Sequence, residues 1–106
     1  MNYRYMRVIV FFDLPVTTAK ERRAYTMFRK HLIKSGFVMM QESVYCKLVS
    51  NGTAADAVTE NMRKNKPSDG IVQVLRVTES QFAKMEYMVG GKSNDYLDTD
   101  ERLVII

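Results

Sequence analysis

The stretch Arg7–Pro15, RVIVFFDLP, governs how the rest of the chain is read. Residues 6 to 12 are rich in Val, Ile and Phe and are bounded by Pro15, which predicts a β-strand. Alternation puts Val8, Val10 and Phe12 on one face and Ile9 and Phe11 on the other. A sheet covered on one side only alternates apolar with polar residues, and this strand is apolar on both. It ends on a single carboxylate, Asp13, followed closely by a proline that cannot continue a ladder. An element buried on both faces that delivers one acid to its tip is the feature to explain.

Working outward, Thr17 and Thr18 offer helix N-caps, and Glu21 follows Thr18 at capping-box spacing. The helix they open is expected to run to about Ser35, with Gly36 as its stop. On a 100° wheel Ala24, Tyr25, Phe28 and Leu32 form a core arc, and Lys20, Arg22, Arg23, Lys30 and Lys34 spread over the opposite side. Residues 37–40 and 43–49 (FVMM and SVYCKLV) predict two antiparallel strands split by Gln41-Glu42, through a tight turn or bulge. Ser50-Asn51-Gly52 is a turn signal, with Thr53 as the cap of a second helix that ends before Pro67. Residues 71–77 (IVQVLRV) predict a fourth strand, apolar on both sides like the first. Thr78–Ser80 starts a helical turn, and Met85–Val89 reads as a fifth strand. Any hinge between these last two strands is expected in Thr78–Lys84.

The order is β-α-β-β-α-β plus one strand, an α+β, ferredoxin-like split βαβ domain over residues 1–89. Residues 90–106 read as a loop and an interaction tail, acidic at Asp95, Asp98, Asp100 and Glu101 and apolar at Leu103–Ile106. Two helices cover one face of the sheet, so the second apolar face needs another cover. A second copy supplies it economically, giving a homodimer with two sheets face to face. The alternative is that the tail folds back over its own sheet.

Bulk properties narrow the function classes. At 106 residues the chain is one domain, with 46% hydrophobic and 26% charged residues, as in ordinary globular proteins. The longest apolar run is too short for a membrane span, and no secretory signal pattern opens the chain. A lone cysteine, Cys46, forms no internal disulfide, so a reducing, cytoplasmic setting is expected. One histidine, His31, and no Cys/His cluster argue against zinc. Residues 1–50 carry nine Lys/Arg against three Asp/Glu, whereas residues 51–106 carry seven against nine. The basic half points to a polyanion, or to nothing more than a solvated helix face.

An apolar strand ending in Phe12-Asp13, a basic helix, then Gly36-Phe37 and Gln41-x-Ser43-Val44-Tyr45 together resemble the CRISPR-associated endoribonuclease family. This is the smaller of the two near-universal spacer-acquisition proteins. The phrase FFDLPV is most similar to the branch found with type II systems. The resemblance implies a homodimer whose last strand crosses to extend the partner's sheet. It also implies a bridging role with a larger integrase subunit that inserts foreign DNA into a CRISPR array. A magnesium-dependent endonuclease activity is implied too, with Asp13 as catalytic and metal-binding residue. Across a two-fold axis, two Asp13 carboxylates repel unless a cation relieves them, and Mg2+ suits that position. The competing reading is that Asp13 caps a turn through its own backbone.

Arg22, Arg23, Lys30 and Lys34 are the candidate nucleic-acid contacts, positioning double-stranded DNA, or single-stranded RNA, through phosphates. Arg63, Lys64 and Lys66 are expected to extend that patch. A purely structural, DNA-binding dimer without nuclease activity is the alternative function. An RNA-recognition-motif module is disfavoured, because SVYCKLV lacks the Gly-Phe-Gly-Phe arrangement such a strand carries.

Overall fold

The computed structural model describes residues 5–91. Strand β1 (Met6–Asp13) leads into helix α1 (Ala19–Lys34), then strands β2 (Val38–Gln41) and β3 (Val44–Val49). Helix α2 (Gly52–Lys64), strand β4 (Ile71–Thr78) and the short helix α3 (Glu79–Ala83) complete the order. The four strands form one antiparallel sheet in the order β2-β3-β1-β4. The α+β split βαβ reading is therefore correct.

The local signals act as the residue types dictate. Thr18 Oγ1 accepts from the Glu21 amide at 3.1 Å, and Glu21 Oε1 accepts from the Thr18 amide at 2.9 Å, a complete capping box. At the other end the Gly36 amide donates to Ile33 O and the Phe37 amide to Leu32 O, both at 3.0 Å. That is a Schellman motif, and it needs the positive φ of +94° that Gly36 supplies. The β2–β3 register shifts between Met39 and Gln41, the expected irregularity. Helix α2 departs by two residues from expectation. Asn51, not Thr53, is the cap, because its side chain accepts from the Ala54 amide at 2.8 Å.

The expected fifth strand is absent from the described residues. Residues 85–89 follow α3 in irregular conformation, with Met88 and Val89 almost fully exposed. The capping box of Thr78 and Gln81 starts α3 directly at the end of β4, and the turn carries the chain off the sheet before it can pair. A strand exists only where a neighbour satisfies its backbone, and among the described residues none pairs with residues 85–89. The tail from residue 92 lies outside the described residues.

The core lies between the sheet and the two long helices. Val8, Val10, Phe12, Tyr45 and Val49 project from the strands toward Phe28 and Leu32 of α1 and Ala55 and Met62 of α2. Phe12 is its aromatic hub. It sits 5.3 Å from Phe28 edge-on, 5.9 Å from Tyr25 and 5.7 Å from Tyr45. The buried Tyr45 hydroxyl accepts from Arg29 Nε at 3.0 Å, so a cation of α1 serves the core. The opposite face of the sheet has neither long helix over it, only the short α3 beside Arg7 at one end. Phe11, Leu48, Ile71 and Leu75 are exposed there, and Ile9 and Cys46 are shielded only by the residues around them.

Candidate functional site

Asp13 is the last residue of β1, and alternation places it on the open face with Arg7, Ile9 and Phe11. Its strand neighbour Phe12 is locked into the aromatic cluster beneath the sheet, so the tip of β1 is anchored one residue before the acid. The ladder to β3 ends at Phe11↔Val44, whereas that to β4 runs on to Asp13↔Ile71. The Asp13 side chain is exposed, and none of the hydrogen bonds among the described residues involves its carboxylate. Among the described residues the strand end thus presents a carboxylate without a hydrogen-bond partner at the rim of an apolar surface.

Asp13 belongs to no cluster of metal-binding side chains among the described residues. Among the described residues no group of three or more His, Cys, Asp or Glu side chains converges. One exposed carboxylate per chain fits a hard divalent cation that keeps most of its waters, and does not fit a closed protein cage.

The four candidate nucleic-acid residues are all exposed on α1, but they do not form one set. Arg23, Lys30 and Lys34 share a stripe with Lys20 on the side of α1 away from the core. Arg22 lies round the helix from them, and its Nη1 donates to the carbonyls of Thr17 at 2.7 Å and Val16 at 3.2 Å. It ties down the chain leaving Asp13. Between α1 and the C-terminal end of α2 runs a groove of about 560 Å³ walled by Lys30, His31, Lys34 and Lys66 over Phe28. Lys66 thus joins the α1 cations. Arg63 does not, since it pairs with Glu60 on its own helix.

One polar cluster on the open face escaped the sequence reading. Arg7 forks onto Glu79 through Nε at 2.6 Å and Nη2 at 3.1 Å, and its guanidinium lies 4.5 Å over the Phe82 ring. Nη1 also reaches Cys46 Sγ at 3.7 Å. The hydrogen bonds from Arg7 hold the Glu79 carboxyl below the usual carboxylate range, against the cost of its burial. The same partner raises the Arg7 pKa. With the Glu79 amide donating to Tyr5 O at 3.0 Å, the cluster fastens α3 to the start of β1. Arg7 and Glu79 are 72 residues apart, and no local spacing signals such a pair. No helix among the described residues is long and apolar enough to cross a membrane.

Comparison with known proteins bears directly on this arrangement. A solved crystal structure of a Cas2 protein, 17% identical, superposes with a TM-score of 0.56 over 96% of this chain and 98% of its own, which establishes the likeness of fold. The CRISPR-associated endoribonuclease Cas2 of Treponema denticola is 58% identical over 101 residues, covering 95% of this chain and all of the relative. The proteins of the same name from Streptococcus mutans (strain UA159) and Lacticaseibacillus rhamnosus are 45% and 43% identical, each over 95% of this chain and over 93% and 100% of their own lengths. The family model described as CRISPR associated protein Cas2 matches residues 6–85, from the first strand to just beyond α3, and the chain belongs to that family.

Proposed function

We propose that the protein is a CRISPR adaptation protein that bridges DNA within a spacer-integration complex and carries a magnesium-dependent endonuclease centre at Asp13. The observation that carries the reading is the exposed, unpaired carboxylate of Asp13 at the rim of an uncovered apolar sheet face. The names of the relatives, all endoribonucleases, support phosphodiester cleavage as the activity.

The uncovered face supports a homodimer formed sheet to sheet. Ile71, Leu75, Leu48 and Phe11 are too large a set of exposed apolar side chains to leave in water. β4 is an edge strand, and Met85–Val89 is an exposed, largely apolar segment without a strand partner among the described residues. Crossing to the β4 edge of a second copy would satisfy both. Sheet-to-sheet pairing would bring two Asp13 carboxylates toward one another, and their repulsion would favour Asp13 as the residue that holds a divalent cation. A bound Mg2+ would supply an acidified water and neutralise charge on a phosphodiester. The chain's own contributions are a strand tip held still by Phe12 and α1 cations that hold RNA or DNA by its phosphates. The larger integrase subunit, a type II system and a cytoplasmic location complete the reading.

A second reading, a structural DNA-binding dimer without physiological nuclease activity, is favoured by the lack of a cluster of three or more metal-binding side chains among the described residues. One assay separates the two. Purified protein is incubated with labelled single-stranded RNA and double-stranded DNA, with Mg2+, with EDTA, and as Asp13→Ala. Metal-dependent cleavage lost in the variant supports the nuclease. Salt-sensitive duplex binding with no cleavage supports the scaffold. Cleavage that survives the substitution removes Asp13 from the chemistry.

A further inference from the structure

Gly70 sits immediately before Ile71, the residue that pairs with Asp13. Its φ is +91°, and a Cβ at this position would lie 2.7 Å from Asp13 O, 2.7 Å from Leu14 Cδ2 and 3.1 Å from Leu14 Cα. The leucine methyl can swing away. The Asp13 carbonyl is backbone, and it can retreat only by carrying the strand tip with it.

On the β3 side the last backbone bond is from the Phe12 amide to Ser43 O at 3.1 Å, one residue before the acid. The β3 ladder stops at Phe11, so Asp13 has a ladder partner only in β4. Beyond it Leu14 and Pro15 share the wall of a small cavity, about 140 Å³, with Pro67, Ser68 and Asp69. The loop before β4 therefore lies against the exit of β1, and at Gly70 it passes so close that a Cβ would meet the Asp13 carbonyl. We propose that Gly70 is a positioning residue for the Asp13 carboxylate: its missing side chain lets the loop before β4 press on the strand tip and set the carboxylate for a divalent cation.

This inference rests on the metal role proposed for Asp13. It makes glycine at position 70 a requirement of close approach as well as of backbone conformation. Gly90 separates the two effects, because its φ is +84° but nothing lies within 4 Å of where its Cβ would be. Displacing a group that orients a metal ligand weakens metal binding by about tenfold or more.

The test is Mn2+ binding to the full-length protein, read by electron paramagnetic resonance of the free ion, with circular dichroism and thermal melting on the same samples. The variants are Asp13→Asn, Gly70→Ala, Gly70→Asn and Gly90→Ala. The expected result is loss of binding in Asp13→Asn and about tenfold weaker binding in both Gly70 variants. Gly90→Ala is expected to bind like the parent. Gly70→Asn keeps the test decisive if the alanine variant fails to fold, since asparagine tolerates positive φ yet still carries a Cβ. Parental affinity in a folded Gly70 variant, with binding lost in Asp13→Asn, overturns the positioning role and leaves the metal reading intact. Parental affinity in Asp13→Asn overturns the metal reading itself, and this inference with it.

Discussion

Val10 and Phe11 are adjacent in sequence and meet opposite environments. Val10 faces the helices and is fully buried; Phe11 faces away and is 36% exposed. The same division holds along the sheet, with Val8, Phe12, Tyr45 and Val49 beneath α1 and α2, and Leu48, Ile71 and Leu75 uncovered on the other side. The residue types on the two faces are alike, so composition does not distinguish them. The covered face stabilises the single chain. The open face contributes little until something occupies it, and the one carboxylate of the site stands at its rim.

A matched pair of truncations breaks this comparison most sharply. Leu32→Ala removes a fully buried side chain from the helix side of the core and is expected to cost about 3 kcal/mol. For a domain of this size that lowers the melting temperature by roughly 12 °C or more. Leu75→Ala makes the same change on the open face, where the side chain is half exposed. Urea unfolding in dilute solution, where copies are separate, should show a loss of about 0.5 kcal/mol or less. Equal losses at the two positions would remove the distinction between the faces.

The next test places a charge on each side. Leu75→Asp is expected to leave a folded protein with weakened self-association in sedimentation velocity. Val10→Asp buries the charge against Phe12 and Leu32 and is expected to prevent folding. A Leu75→Asp protein that associates as strongly as the parent would argue against sheet-to-sheet pairing.

Smaller effects come from the helix start and from the Arg7 clamp. Thr18→Ala removes the capping box beside the chain leaving Asp13 and should cost about 1 kcal/mol by thermal melting. Glu79→Gln loosens α3 at a partly exposed pair, so about 0.5 kcal/mol is expected. Its pH signature has a definite sign. Glu79 has a lowered pKa in the folded protein, so its contribution is complete above the ordinary carboxyl value of 4.5. It is lost as pH falls through the lower folded value. The difference in stability between parent and Glu79→Gln should therefore vanish in acid, and its growth in acid would rule out the clamp.

Much of the fold was legible because it is written in local chemistry. Thr18 with Glu21, Gly36 after Ser35 and the turn at Asn51-Gly52 each mark an element boundary through bonds that span a few residues. The candidate site was legible only in part. Asp13 stood out as a lone acid after an apolar run, and the α1 cations as an arc. That Arg22 turns back onto Val16 and Thr17, and that Arg29 serves Tyr45, depends on where side chains meet across the fold. Met85–Val89 looked like a strand because its residue types favour one, yet strands form only against partners.

Local patterning along the chain carried the order from β1 to β4, the two-faced apolar character of β1 and β4, and the acid at the strand end. Periodicity and capping are properties of neighbours along the chain, and they survive being read without coordinates. Tertiary structure alone decided which apolar face the helices cover and how Arg7 reaches Glu79. It also decided that Gly70 leaves no room for a Cβ beside the backbone of Asp13, because these contacts join residues that only the sheet brings together.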